Sequence, residues 1–290
     1  MSHGGRIWAA LVTVYILWGS TYLAIAVTVE TLPPLLAVAV RFVAAGGIMA
    51  LIVTRRGGSM RCSRRELLSC AIVGCLLPGG NAVLFFAERR VATGLSSLIV
   101  ASVPLWVVVL RLTHRERLPA TALVGVAVGF VGVGVLAKPS GGATSWGIGL
   151  LVLSAVMWAA GSVFSQWLPM PGNPFAATAW EMIVGGLVLL PFGAATAGSF
   201  SPSWGSLGAW LYLVTFGSVI GYTAYTWLLA NAPLGLVSTY AYVNPIVAIV
   251  LGVLFRNEHL SWRLLVGAVI VVAAVALVVR REPAAQPADA

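Results

Sequence analysis

Two opposite charges, Arg41 and Glu181, lie within stretches that are otherwise apolar. A charged side chain that faces lipid costs a few kcal/mol, so each must face protein or water. Such groups can form an ion pair, hold a charged ligand or, in the case of the carboxyl group, carry a proton. Their positions differ by 140, an offset that recurs along the chain, so they are equivalent points of a repeat. A purely structural role, satisfying backbone or loop groups, stands equally open.

Aromatic and amide or hydroxyl side chains recur at helical spacing in several apolar stretches. Such residues supply flat apolar contact with polar tips, which suits an amphipathic ligand. The alternative is that the rings anchor the membrane interface and the hydroxyls bond between helices. The candidate binding residues are Trp18, Tyr22, Asn81, Trp158, Ser162, Tyr222, Tyr225, Tyr240, Tyr242 and Asn244.

Three prolines, Pro78, Pro104 and Pro245, fall inside apolar stretches. Proline cannot donate the backbone hydrogen bond of a helix, so each is predicted to break its helix and free a carbonyl group. Non-helical backbone at membrane depth is tolerated where it faces a cavity. A simple kink is the alternative.

The elements that position these residues are predicted from composition. Of 290 residues, 60% are hydrophobic and 9% charged, and the mean hydropathy is +0.98, values outside the range of soluble domains. Apolar runs of about 17 to 25 residues can span a bilayer as helices. We identify ten such runs, approximately at 7–29, 34–53, 67–87, 92–112, 119–137, 146–167, 174–197, 205–229, 234–255 and 261–279.

Internal repetition organises the ten spans into two halves, 7–137 and 146–279. Trp18 matches Trp158 at an offset of 140, Pro104 matches Pro245 at 141, and the segment after Glu116 matches that after Glu258 at 142. Because each half has five spans, the second half crosses the membrane in the opposite sense. The predicted fold is an all-α integral membrane protein of two inverted five-helix repeats around a central cavity. The tail, 282–290, is predicted to be disordered.

Across almost its whole length the chain resembles the EamA-type ten-helix exporters of the drug/metabolite transporter superfamily. In the first half the resemblance is carried by Trp18-Gly19-Ser20-Thr21-Tyr22, Pro34 with Arg41-Phe42, and Ala92-Thr93-Gly94-Leu95 leading to Pro104. In the second half it is carried by Trp158, Gly161-Ser162, Trp180-Glu181-Met182 and Ser238-Thr239-Tyr240-Ala241-Tyr242-Val243-Asn244-Pro245. The resemblance implies a cavity bounded by the first, third, fourth, sixth, eighth and ninth helices. It also implies export of metabolites, including aromatic amino acids.

The net charge is +9, and most of the basic residues lie in the predicted loops. Their distribution between the two sides of the membrane indicates the orientation of the chain. With an inner amino terminus, eleven arginines fall on the cytoplasmic side and five basic residues on the other. This predicts a multi-pass protein of a bacterial-type inner membrane with both termini in the cytoplasm. Glu88, beside Arg89 and Arg90, is expected at the outer interface.

The sequence carries no GxxxxGK[ST], GxSxG or HExxH pattern and no carboxylate pair. A P-loop ATPase is thereby excluded, and a membrane-embedded enzyme is the weaker alternative. The cysteines and histidines lack metal-ligand spacing, so we expect no metal, no cofactor and no nucleic-acid partner. The lipid bilayer and a small-molecule substrate are the expected partners, with a homodimer through the fifth or tenth helix as a further one, because Gly125 and Gly129 form a small-residue face.

Charge narrows the substrate class. Sugar phosphates would require several buried cations, and the chain offers one, Arg41. Small lipophilic cations would require an intramembrane carboxylate, which Glu181 could supply. A zwitterionic amino acid with an apolar side chain requires aromatic walls and a few dipolar groups. The sequence therefore favours a secondary exporter of small metabolites, foremost amino acids, with efflux of lipophilic cations or other drug-like compounds as the alternative.

Overall fold

The computed structural model describes residues 2–116, 119–136, 144–237 and 239–279. Within these ranges the chain forms ten helices of membrane-spanning or nearly spanning length, and one further helical turn at Leu234–Val237 precedes the ninth. The ten helices are α1 His3–Thr28, α2 Pro34–Arg55, α3 Arg64–Glu88, α4 Thr93–Thr113, α5 Ala120–Leu136, α6 Ser145–Trp167, α7 Pro174–Thr196, α8 Trp204–Asn231, α9 Tyr240–Arg256 and α10 Trp262–Val279. Seven of the described helices are long and apolar enough to cross a membrane, and α5, α9 and α10 are shorter apolar helices. The predicted ten-helix membrane fold is confirmed.

Helix starts follow from local chemistry. Ser63 precedes α3, where its hydroxyl accepts from the backbone N–H of Glu66 at 3.2 Å, and the Glu66 carboxylate accepts from the N–H of Ser63 at 2.6 Å. This reciprocal pair satisfies two donors that the first turn leaves free. At the start of α7, the Asn173 side chain accepts from the N–H groups of Phe175 and Ala176, and Pro174 supplies a preset backbone angle.

The contact between α2 and α7 shows the inverted relation of the two halves. A Cβ on Gly46 would lie 2.9 Å from the carbonyl oxygen of Ala179, and a Cβ on Gly186 would lie 2.8 Å from that of Ala39. Both pairs of equivalent residues are separated by 140, so the two contacts exchange under a two-fold axis between these helices. Side chains larger than hydrogen would force α2 and α7 apart at both points.

The ends of α4 and α9 repeat one another as well. Arg115 follows α4 with φ 59°, and Asn257 follows α9 with φ 52°. The two residues are separated by 142, the offset of this part of the repeat. A left-handed residue ends a helix and turns the chain, so α4 and α9 end in the same way.

Helices α5 and α10 pack against each other through equivalent glycines. Gly125 of α5 lies against Val278, and Gly267 of α10 lies against Leu136. The small-residue face of α5 is therefore occupied within the chain. A homodimer through α5 or α10 stays a prediction, and it would have to use outward residues such as Val131 and Val269, which are 63% and 70% exposed.

Two of the three sequence-based expectations about irregular backbone were wrong, because Pro78 and Pro245 lie inside continuous helices. At the third proline, Pro104, the helix is irregular where a break was expected: α4 is interrupted at Ala101 and Ser102. A helix can continue past proline where neighbouring groups compensate for the lost bond. An additional irregularity, a π-helical segment at Leu213–Ile220 within α8, was not predicted. Residue 137 and the tail 282–290 lie outside the described residues.

Glu88 also departs from expectation. It is the last residue of α3 and only 6% exposed, where an interfacial position had been expected. The helix continues to this residue and carries the side chain inward rather than into the loop. Neither of its carboxylate oxygens has a hydrogen-bond partner among the described residues.

The orientation can be tested at Cys62, which lies in the loop between α2 and α3 and is partly exposed, while Cys70 is buried. With Cys75 replaced by Ser, an impermeant thiol reagent is expected to label Cys62 only from the cytoplasmic side, because that loop is rich in arginine. Inside-out vesicles and intact cells are the matched samples. Labelling from the periplasm of intact cells would contradict the predicted orientation.

Candidate functional site

A central cavity of about 100 Å³ lies between the two halves. It is lined by α1, α3, α4, α6, α8 and α9, with Arg41 reaching in from α2. The structure places seven of the ten candidate binding residues on its wall: Trp18, Tyr22, Asn81, Trp158, Tyr222, Tyr240 and Asn244. Helical periodicity had assigned them to separate stripes, and packing of the two halves brings those stripes together.

Trp18 is the centre of the aromatic wall. Its ring centroid lies 5.3 Å from that of Tyr222, 5.2 Å from that of Tyr240 and 6.5 Å from that of Trp158, all in edge-to-face arrangements. The indole N–H donates to the carbonyl oxygen of Gly217 at 3.2 Å. The tryptophan that matches it in the second half therefore meets it across the cavity. Interlocked rings of this kind form a rigid apolar surface.

Arg41 is the cation of the cavity. Its guanidinium group donates from Nε to the hydroxyl of Ser218 at 3.0 Å and lies 5.0 Å and 5.9 Å from the ring centroids of Phe42 and Phe85. The side chain is only 3% exposed, and its Nη1 has no hydrogen-bond partner among the residues that the structure describes. Arg41 and Glu181 form no ion pair, and in the described part of the chain no carboxylate pairs with Arg41. A buried cation without an anion is costly, so the geometry favours an anionic group as its partner.

Two carbonyl groups complete the polar lining. Pro104 and Pro245 lack the N–H that would bond to the carbonyl oxygen four residues earlier, which leaves those of Val100 and Ala241 without their helical donors. All four residues line the cavity, and the two pairs are equivalent in the repeat. The side-chain amide of Asn244 lies 3.2 Å from the carbonyl oxygens of Tyr15 and Tyr240, so its nitrogen faces them and its oxygen can accept. The cavity thus pairs one cation with several hydrogen-bond acceptors.

Three of the candidate binding residues do not line the cavity. Ser162 donates to the carbonyl oxygen of Trp158 at 2.8 Å. Tyr225 packs behind Trp18, with ring centroids 5.0 Å apart, and Tyr242 packs against the apolar core.

Glu181 and Pro78 also lie away from the cavity wall. Glu181 is half-buried on α7, beside the close contact of Gly74 and Gly185, and its carboxylate has no hydrogen bond or ion pair within the described residues. Pro78 frees the carbonyl oxygen of Gly74, which points at Gly185 of α7 and so closes a helix contact rather than facing a ligand. Glu181 is therefore a half-buried carboxyl group outside the cavity.

Some cavity residues were not predicted. Ser154 donates to the carbonyl oxygen of Gly80 at 2.8 Å, and Ser97 and Thr21 donate to carbonyl oxygens one turn earlier. Ser97 carried a signal, because it has a repeat partner at position 238. Ser218 carried none, since its contact with Arg41 depends on the π segment of α8.

Charged side chains link the helix ends on the side of the molecule opposite the amino terminus. The Glu258 carboxylate accepts from the N–H groups of Thr93 and Gly94 at 2.7 Å and 3.0 Å, and Arg256 pairs with Glu30 at the end of α1. An anion at a helix start satisfies free donors and complements the helix dipole. Glu116, the repeat counterpart of Glu258, instead accepts from Arg111 at 2.7 Å. The two ends of the molecule therefore differ in their contacts.

Two consecutive segments of the chain, residues 5–137 and 145–280, match the EamA-like transporter family. The chain belongs to that family. It is therefore a multi-pass membrane transporter rather than an enzyme, and the resemblance inferred from its motifs is confirmed.

Individual relatives agree. The chain is 36% identical over 263 residues to the inner membrane transporter YedA of Escherichia coli, covering 88% of this chain and 84% of YedA. It is 30% identical over 275 residues to the protein PecM of Dickeya dadantii, covering 90% and 88% of the two chains. A solved crystal structure with 20% sequence identity superposes with a TM-score of 0.68 and covers 95% of this chain and 96% of its own, which shows a shared fold.

Proposed function

We propose that this transporter moves small zwitterionic metabolites, foremost amino acids with apolar or aromatic side chains, outward across a bacterial inner membrane by alternating access. The observation that carries the proposal is the buried Nη1 of Arg41, which lines the cavity and has no partner among the described residues. A substrate carboxylate would supply the missing anion and accept two hydrogen bonds in the planar geometry that a guanidinium offers.

The remaining lining suits the rest of an amino acid. An α-ammonium group needs acceptors, and the carbonyl groups of Val100 and Ala241, whose i+4 helical donor is replaced by proline, offer two. An apolar or aromatic side chain needs flat apolar walls, which Trp18, Trp158 and Tyr222 supply. The cavity lining therefore offers a cation for the carboxylate of a zwitterion and hydrogen-bond acceptors for its ammonium group.

The alternative substrate, a lipophilic cation, is less well supported. It would need a carboxylate on the cavity wall, and Glu181 is not among the described residues that line the cavity. Arg41 places a positive charge there instead, which repels a cation. Efflux of such compounds would need a rearrangement that brings Glu181 into the cavity.

Alternating access is supported by the inverted repeats. Two halves related by an axis in the membrane plane can exchange conformations and so open the cavity to either side. The Glu258 carboxylate accepts hydrogen bonds from the start of α4 at one end, while Glu116 at the opposite end pairs with Arg111. If Glu116 took up the contact that Glu258 now makes, and Glu258 released its own, the transporter would change from a state open to one side of the membrane to a state open to the other.

Counterflow into proteoliposomes tests the substrate class. Vesicles loaded with a labelled aromatic amino acid are expected to exchange it for external aromatic and large apolar amino acids, and weakly or not at all for purines or hydrophobic cations, because Arg41 selects a carboxylate. The same exchange with Glu181→Gln, with and without a pH gradient, shows whether this carboxyl group couples protons. Exchange driven by cations and not by amino acids would overturn the proposal.

A further inference from the structure

A second cavity of about 730 Å³ lies on the amino-terminal side of the molecule, between the first turns of α1, the end of α2, the start of α7 and the second half of α8. Its wall is mostly aliphatic and includes Met49, Val53, Val219 and Ala224. Two arginines, Arg6 and Arg56, stand at its outer end. We refer to it as the amino-terminal groove.

This groove is separate from the transport cavity. On α8, the transport cavity contacts Gly217 and Tyr222, whereas the groove contacts Ile220, Thr223 and Trp227. The two spaces share no lining residue on α8, so they meet different faces of that helix. Helix α8 therefore separates the groove from the transport cavity. The groove is not a continuation of the substrate pathway.

The groove opens to the surface that faces lipid. Ile52 and Ile220 on its rim are 37% and 41% exposed. These residues belong to membrane-spanning helices, so the medium outside them is hydrocarbon. An apolar space of this size beside lipid is filled by acyl chains, since neither water nor vacuum is favourable there.

The arginines select the kind of lipid. Arg6 lies one helical turn from the start of α1 and Arg56 directly follows α2, so both stand at headgroup level when the helices span the bilayer. Within the described residues neither forms an ion pair. Two exposed, unpaired guanidinium groups above an aliphatic groove complement a phosphate group above an acyl chain. We propose that the groove binds one anionic phospholipid in the leaflet that the amino terminus faces.

The bound lipid would act on transport through α8. The π segment of this helix presents Val219 and Ile220 to the groove, while Gly217 and Ser218 hold Trp18 and Arg41 on the cavity side. π segments cost stability and occur at functional sites, where neighbouring groups support them. An acyl chain that packs against Val219 and Ile220 would stabilise the π segment on the side away from the cavity. It would thereby stabilise the hydrogen bonds that Gly217 and Ser218 form with Trp18 and Arg41. This inference goes beyond the proposed substrate and does not depend on it.

The test uses the full chain purified in detergent and mixed with phosphatidylglycerol or phosphatidylcholine. Native mass spectrometry is expected to show one phosphatidylglycerol retained per chain, and retention is expected to fall about fivefold for each of Arg6→Gln and Arg56→Gln, matching ~1 kcal/mol per basic residue. Arg61→Gln, in the loop between α2 and α3, and Arg65→Gln, in the first turn of α3, remove the same charge outside the lining of the groove and are the matched controls. Ala224→Trp fills the groove and should displace the lipid with both arginines intact.

Several results would overturn the lipid site. These are equal retention of phosphatidylcholine, an equal loss in the Arg61→Gln and Arg65→Gln controls, and unchanged retention in Ala224→Trp. A second copy of the chain cross-linked across the groove would replace the lipid as its occupant. Failure of amino-acid counterflow would leave lipid retention unaffected, so the two proposals fail separately.

Discussion

Arg41→Gln is expected to lower the affinity for a carboxylate-bearing substrate by about two orders of magnitude. Hydrogen bonds to charged groups contribute about 1.5–3 kcal/mol each, and 1.4 kcal/mol corresponds to about tenfold. The loss arises because the guanidinium is the only cation on the described wall of the cavity, so no other charge can replace it. The measurement is the substrate concentration that gives half-maximal counterflow in proteoliposomes.

Two controls separate binding from folding in the Arg41 experiment. Ser218→Ala removes the hydroxyl that holds Nε but keeps the charge, so a smaller loss of affinity is expected. A substrate analogue with a neutral amide in place of the carboxylate should bind the wild type and Arg41→Gln almost equally. If the amide analogue loses as much affinity as the amino acid, then Arg41 acts on the fold and not on the ligand.

Trp158→Ala is expected to weaken substrate binding about thirtyfold, equivalent to about 2 kcal/mol for a buried aromatic contact. Trp158 is partly exposed to the cavity, so its removal deletes ligand contact while leaving most of the packing in place. Trp18→Ala should impair binding at least as strongly and also cost stability, since this ring contacts Trp158, Tyr222, Tyr225 and Tyr240.

Trp262 is the matched control for the tryptophan experiment, because it begins α10 and is 79% exposed. Trp262→Ala should leave affinity unchanged, with all three variants compared for monodispersity and thermal unfolding. Equal affinities in Trp158→Ala, Trp18→Ala and Trp262→Ala would exclude the aromatic cavity as the binding site. The family assignment would be unaffected by that result.

The sequence by itself determined the ten helices and their order. Hydropathy indicates where a helical chain enters and leaves a bilayer, because a helix pairs all of its backbone polar groups within one apolar segment and an unpaired backbone in hydrocarbon is costly. The bounds of α2 and α7 were predicted to within two residues for this reason. The repeat offset also paired Trp18 with Trp158 before any contact was known.

Only the tertiary structure decided which face of each helix meets which neighbour. Hydropathy describes depth in the membrane, and lipid is as apolar as a packed interior, so an apolar stripe does not reveal which side is buried. Ser162 and Tyr225 share helical stripes with Trp158 and Tyr222, yet they point away from the cavity. The partner of Arg41 depends on a π segment, which adds a residue to one turn and leaves no pattern in the sequence.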